Sequence, residues 1–169
     1  MKIIFSLFLI TFLLQSCSNE VKISSIHPVN WDKRTVHYAL PDSLNEGTTY
    51  LSIYSEIYSQ TEQRTHDLTA TVSLRNVNRE DTVFIDKAEY FDTKGKFIRS
   101  YFDKTIYIAP METVEIIIDE NDEAGGTGAN FLFDWRINQG ANEPIFEGVM
   151  ISTYGQQGLS FTTQGKRIE

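Results

Sequence analysis

Along most of this chain apolar and polar residues alternate one for one. Leu68, Ala70, Val72 and Leu74 interleave with Thr69, Thr71, Ser73 and Arg75, and Phe131, Phe133, Trp135 and Ile137 interleave with Leu132, Asp134, Arg136 and Asn138. A period of two places one set on a buried face and the other on a solvated face, so these runs predict half-buried β-strands. Further strands are predicted around Leu51 to Ile57 and over Thr82–Phe91, Lys96–Phe102, Thr105–Ala109, Thr113–Asp119, Ile145–Ser152 and Leu159–Thr163. Between them lie turn signals at Asn76–Asp81, Asp92–Gly95, Ala109–Met111, Gly125–Gly128, Asn138–Gly140 and Gly155–Gly158. Asp92-Thr93-Lys94-Gly95 reads as a tight reversal in which Gly95 takes a positive φ, pairing the strands that carry Tyr90 and Phe97. About nine strands in about 120 residues exceed one small sheet, so the expected fold is all-β, an antiparallel two-sheet β-sandwich, immunoglobulin-like in the broad sense.

The first residues break this rhythm. Met1-Lys2 gives a positive start, Ile3–Leu14 is apolar apart from Ser6 and Thr11, and Gln15-Ser16-Cys17 follows. Twelve helical residues rise only about 18 Å, against roughly 20 residues for a bilayer span, so the layout reads as a secretory signal. Leu14-Gln15-Ser16-Cys17 resembles a bacterial lipobox, with Gln15 in place of the usual small residue. The expectation is a signal peptide over 1–16 and lipidation of Cys17, the chain's single cysteine. Its thiolate is the soft nucleophile that accepts a diacylglyceryl group, and two or more acyl chains give a stable anchor. Residues 17–47 then comprise the lipidated Cys, a tether and a lead-in, and 48–169 a single sandwich domain. Extended, Ser18–Asn30 reaches about 40 Å.

Charge narrows the partners. The chain carries 15 basic and 23 acidic side chains, a net of -8, which excludes a phosphate-neutralising surface and so a nucleic-acid role. Loss of Lys2 with the signal reduces the 15 basic groups to 14 and shifts the net to -9. An acidic body is repelled by anionic headgroups. The membrane is therefore expected as a partner only through lipid on Cys17, in the cell envelope at the outer membrane or periplasmic face, with an envelope protein or glycan as the second partner.

Chemistry is sparse. Gly125-Gly126-Thr127-Gly128-Ala129-Asn130 has neither the Gly-Lys-Ser/Thr of a Walker loop nor a following helix to receive an anion, and reads as a hairpin or bulge between strands. Asp119, Asn121, Asp122 and Glu123 offer oxygens that suit weak Ca2+ binding, but the EF-hand spacing fails at Ala124 and Asn130. His27, His37 and His66 form no close ligand pair, and there is no Gly-x-Ser-x-Gly elbow. No catalytic residue, resident metal or cofactor is therefore assigned. Gly155, Gln156, Gln157 and Gly158 combine a turn with two amides able to donate and accept, and with Gly125, Gly126, Gly128 and Asn130 they are the candidate ligand-binding loops. Tyr50, Tyr54 and Tyr58 recur every four residues, which in an unbroken strand aligns them on one face. Exposed, that row suits carbohydrate or protein contacts; otherwise it packs under the N-terminal segment.

Several stretches together carry a family resemblance. They are Tyr54-Ser55-Glu56-Ile57-Tyr58, Leu68 to Asn76, Tyr90-Phe91-Asp92 with Gly95, and Ile98-Arg99-Ser100-Tyr101. They continue with Gly125 to Phe131 and Trp135, Asn142-Glu143-Pro144, and Gly155 to Phe161. Over about Tyr54 to Gly165 the chain resembles the bacterial domain-of-unknown-function (DUF) 3124 family of envelope lipoproteins and secreted proteins. The resemblance implies kinship and draws attention to the two glycine motifs, but implies no activity. The expected role is a non-enzymatic binding or structural module anchored in the envelope. The alternative is an enzyme processing envelope polysaccharide or peptide, with carboxylates near the Gly125 or Gly155 loops.

Overall fold

A computed structural model describes residues 29–154 and 156–169. The segment expected to be a signal, Cys17, most of the stretch expected to be a tether, His27 and Gly155 lie outside the described residues. The strands are β1 (Asn45–Ile53), β2 (Glu56–Ser59), β3 (Thr61–Asp67), β4 (Thr69–Arg75), β5 (Val83–Phe91), β6 (Phe97–Ser100), β7 (Ile106–Ile108), β8 (Thr113–Ile118), β9 (Ala129–Ile137), β10 (Ile145–Tyr154), β11 (Gln157–Gln164) and β12 (Lys166–Arg167). A six-stranded sheet runs β12-β1-β9-β5-β6, with β7 also on β5, and a four-stranded sheet runs β11-β10-β4-β8. All pairings are antiparallel. The two-sheet β-sandwich expected from the alternation is the fold of the protein.

The alternation works as the pleat requires. Along β9 buried and half-buried positions strictly alternate, so Phe131, Phe133, Trp135 and Ile137 enter the core while Asp134 and Arg136 point outward. From the other sheet, Phe146 stacks on Phe133 at 4.3 Å between centroids, and Phe133 on Phe131 at 5.3 Å. The stack continues to Tyr90 at 4.8 Å. Trp135 is buried and its Nε1 donates to Thr49 Oγ1 at 2.9 Å, which satisfies the one polar atom that its burial would leave unpaired. One corner is fixed by amides: Asn76 Nδ2 donates to the carbonyls of Asp81 (2.8 Å), Ile108 (3.0 Å) and Ala109 (3.1 Å). Asn78 Oδ1 accepts from the Asn142 amide at 2.7 Å, and its Nδ2 donates to Asn142 O at 2.9 Å. Three loops are thereby tied with their buried polar atoms paired.

The reversal at Asp92 forms as read: Gly95 has φ +74°, its N–H reaches Asp92 O at 2.9 Å, and Phe91 pairs with Phe97. Three features differ from the sequence reading. The first strand begins at Asn45 and stops at Ile53, and β2 starts anew at Glu56, so Tyr50, Tyr54 and Tyr58 do not share one strand. Tyr50 and Tyr58 are exposed, while Tyr54 meets the ring of Phe161 at 5.7 Å. The break comes at Ser55, whose N–H donates to Gly126 O at 3.2 Å and whose carbonyl accepts from Leu68 N at 2.7 Å. These bonds clamp the base of a separate β2–β3 hairpin. Its β3 is exposed at every position except His66, so it has no apolar period to detect. Finally, Gly125–Gly128 is not a hairpin: it lies in a 3-10 segment, Glu123–Gly128, that carries the chain from β8 in one sheet to β9 in the other.

Candidate functional site

A concavity is built where the chain enters the sandwich. Trp31–Arg34 forms a single 3-10 turn, begun by Asn30, whose side-chain oxygen accepts from Lys33 N at 3.3 Å. This strap is held down by Val36 N–H to Thr105 O at 2.9 Å and by a forked ion pair from Arg34 to Glu112, at 2.6 and 2.9 Å. The Glu112 carboxylate also accepts from Ala109 N at 2.9 Å. The Arg34 hydrogen bond, opposed by partial burial and helped by the Ala109 amide, holds Glu112 below the usual carboxylate range.

Opposite the strap run Arg99, Ser100, Tyr101, Phe102 and Asp103, and the cleft between them measures about 740 Å³. Trp31 and Phe102 meet at 5.1 Å between ring centroids. Arg99 lies over Tyr90 at 5.4 Å and over Tyr101 at 5.7 Å, and its guanidinium pairs with buried Asp122. Burial opposes the charge on Arg99, but Tyr101 and Asp122 outweigh it and raise its pKa. Burial raises the Tyr101 hydroxyl also, against the pull of Arg99. Two N–H groups, Trp31 Nε1 and Arg99 Nε, are buried and meet no protein acceptor. The cleft thus has aromatic walls and donors lacking acceptors. Its one guanidinium is already neutralised, and Asp32 and Asp103 stand in its lining. That charge balance favours a neutral polar ligand over an anion.

The Gly125 loop is packed in place. A Cβ on Gly125 would overlap the Tyr90 hydroxyl and Ser55 Oγ and stand 2.8 Å from Ala129 Cβ. Its carbonyl accepts from Thr93 N and Thr93 Oγ1, both at 3.1 Å. Gly126 has φ +71° and Gly128 abuts Thr93. Gly125 is buried, and Asn130 sits in β9 between Ser52 and Phe91. A shallow hollow of about 290 Å³ beside this loop is lined by Glu56, Asp92, Glu123, Tyr58 and Lys94 among others. Of the oxygens read as a Ca2+ loop, Asp122 pairs with Arg99, and Asp119 accepts from Asn121 N at 3.0 Å and from its Nδ2 at 2.7 Å. Glu123 joins the hollow. Among the described residues no group of three or more His, Cys, Asp or Glu could hold a metal. At the other glycine motif Gln156, Gln157 and Gly158 are exposed at the tip of the β10–β11 hairpin. Gln156, Gln157 and Gly158 do not line the hollow beside the Gly125 loop. The alternation singles out neither the Arg99–Asp122 pair nor Trp31, which falls within the 17–47 lead-in. Ile98-Arg99-Ser100-Tyr101 within the resemblance was the available signal.

The fold and cleft define an all-β sandwich with one aromatic cleft at its N-terminal strap. Residues 46–168 match the model of a protein of unknown function, DUF3124, and the chain belongs to that family. No curated protein matches it. A crystal structure of Thermotoga maritima 1070 is similar over 71% of this chain and 92% of that one, at 9% identity with a TM-score of 0.45.

Proposed function

We propose that this chain is an exported bacterial envelope protein, lipid-anchored through Cys17, that binds a neutral polar ligand of the envelope, such as a glycan, without chemistry. The observation that carries the binding role is the Trp31–Tyr101 cleft. Its volume lies in the range of small-molecule sites, it offers aromatic faces for sugar rings, and its guanidinium is already paired with Asp122. The anchor rests on the apolar lead and the lone cysteine after it.

Two measurements test these parts separately. Cys17→Ala abolishes palmitate labelling and moves the protein from the membrane to the soluble fraction; unchanged fractionation refutes the anchor. Soluble cell-wall glycan fragments change the fluorescence of Trp31, one of the chain's 2 tryptophans. Since Trp135 is buried, the Trp31→Phe variant supplies the background, and an unaltered spectrum at saturating fragment concentrations refutes the ligand class. A second reading rests on Glu56, Asp92 and Glu123 around the 290 Å³ hollow. Paired carboxylates there would support glycosidic hydrolysis, and release of reducing ends that stops in Glu56→Gln or Glu123→Gln would favour it over binding.

A further inference from the structure

The eighteen residues from Gly148 to Gly165 contain no charged side chain and no histidine, in a chain where 22% of residues are charged. They form most of the β10–β11 hairpin, and β11 is an edge strand of the four-stranded sheet. Edge strands present unpaired N–H and C=O groups, and proteins normally guard them with charge, proline, bulges or brevity. The other edges here are guarded. β8 has Glu115 at its centre, with Glu112 before it and Asp119-Glu120 after it. β6, β7 and β12 have four, three and two residues. β11 has eight residues, unbroken register with β10, and exposure everywhere but Phe161 and Thr163.

The phase of the ladder says which groups are bare. Gly165 N–H donates to Phe146 O at 2.8 Å, in line with the β10–β11 register. Hydrogen-bonded and non-bonded pairs alternate in an antiparallel ladder, so Thr163, Phe161, Leu159 and Gln157 turn their amides toward β10. Gly158, Ser160, Thr162 and Gln164 turn theirs outward.

We propose that β11 pairs antiparallel with β11 of a second copy of this chain, joining two four-stranded sheets across a two-fold axis at Ser160. A two-fold contact needs a self-complementary surface. With Ser160 opposite its own mate and Gly158 opposite Thr162, the outward amides of both copies meet. Side-chain charge bears on the occupant: two copies meeting at this edge bring no like charges face to face, two copies meeting at the β8 edge would oppose carboxylates, and a basic partner is steered to the acidic edges instead.

The test uses the full chain in its membrane. In a hydrogen-bonded antiparallel pair the Cα atoms stand about 5.5 Å apart, within disulfide reach, so Ser160→Cys forms a covalent dimer on mild oxidation. Leu159→Cys, on the opposite face, and Glu115→Cys, on the guarded edge, do not. Ser160→Lys places two ammonium groups at the axis and eliminates the dimer in chemical crosslinking, with the unfolding midpoint unchanged. Equal dimer from all three cysteine variants, a covalent product whose second component is another protein, or a dimer that survives Ser160→Lys overturns the proposal.

Discussion

Two glycine-bearing turns looked alike in the sequence, and the fold treats them in opposite ways. Gly125 is sealed under Tyr90 and Ser55, its carbonyl held twice by Thr93, and it serves as the joint between the sheets. Gly158 stands in the open, with nothing within 4 Å of the position a Cβ would take. What separates them is where the chain goes next. Over Glu123–Gly128 it passes from one sheet to the other against the buried Tyr90 and Ser55 hydroxyls, whereas Gly158 lies where β11 runs back along β10. A glycine required by close approach and one that merely permits a turn are indistinguishable until the neighbours are known.

The contrast is broken most directly at Gly125. A methyl group there needs space held by two buried hydroxyls that hydrogen-bond each other at 3.0 Å, so Gly125→Ala is expected to destabilise the fold by about 1 to 3 kcal/mol. Urea unfolding measures it. Tyr90→Phe removes one of the obstructing oxygens and should recover part of the loss in the double variant, a coupling that additive effects would not show. A midpoint equal to that of the parent would place Gly125 with Gly158.

The strap carrying Trp31 is the intermediate case, attached through Arg34 and Glu112 at its far end and not buried outright. Because Glu112 is held below its ordinary value of 4.5 in the fold, its carboxylate contributes stability above that value. The contribution disappears as pH falls through the lower, folded value. A forked but half-exposed pair contributes about 1 kcal/mol. The protection of the Val36 amide, bonded to Thr105 O, relative to the intrinsic exchange rate at each pH, should therefore fall on acidification below about pH 4.5. Glu112→Gln should exchange faster at neutral pH and lose that acid dependence; an identical profile in both proteins would show that apolar packing alone holds the strap.

These differences mark how far the sequence reaches. Alternation made β9 and β4 legible because each buries one face against the other sheet, and the Asp92–Gly95 reversal was legible because its chemistry is local. β3 has no buried face and so no period, and four-residue spacing misled at Tyr50, Tyr54 and Tyr58 because Ser55 is captured by Gly126, 71 positions along the chain. The aromatic cleft is assembled from the strap, the end of β6 and the residues that follow it, with Arg99 held by Asp122 of the β8–β9 connection. Arg99 lies in β6 of one sheet and Asp122 follows β8 of the other, and no pattern within either segment announces the other.

The smallest expected effect is the most discriminating, because its sign is reversed. A glycine inside a strand gives up backbone entropy that alanine does not, about 0.5 to 1 kcal/mol. Gly158 sits in β11 opposite Thr153, with open space around its missing side chain and no positive φ among its backbone values. Gly158→Ala should thus stabilise the protein by about 0.5 kcal/mol, measured by thermal unfolding at concentrations low enough to keep chains apart. That gain beside the loss at Gly125 would establish that only the buried turn needs its glycine. A loss at Gly158 under the same conditions would instead mean that β11 depends on a backbone freedom its open surroundings do not reveal.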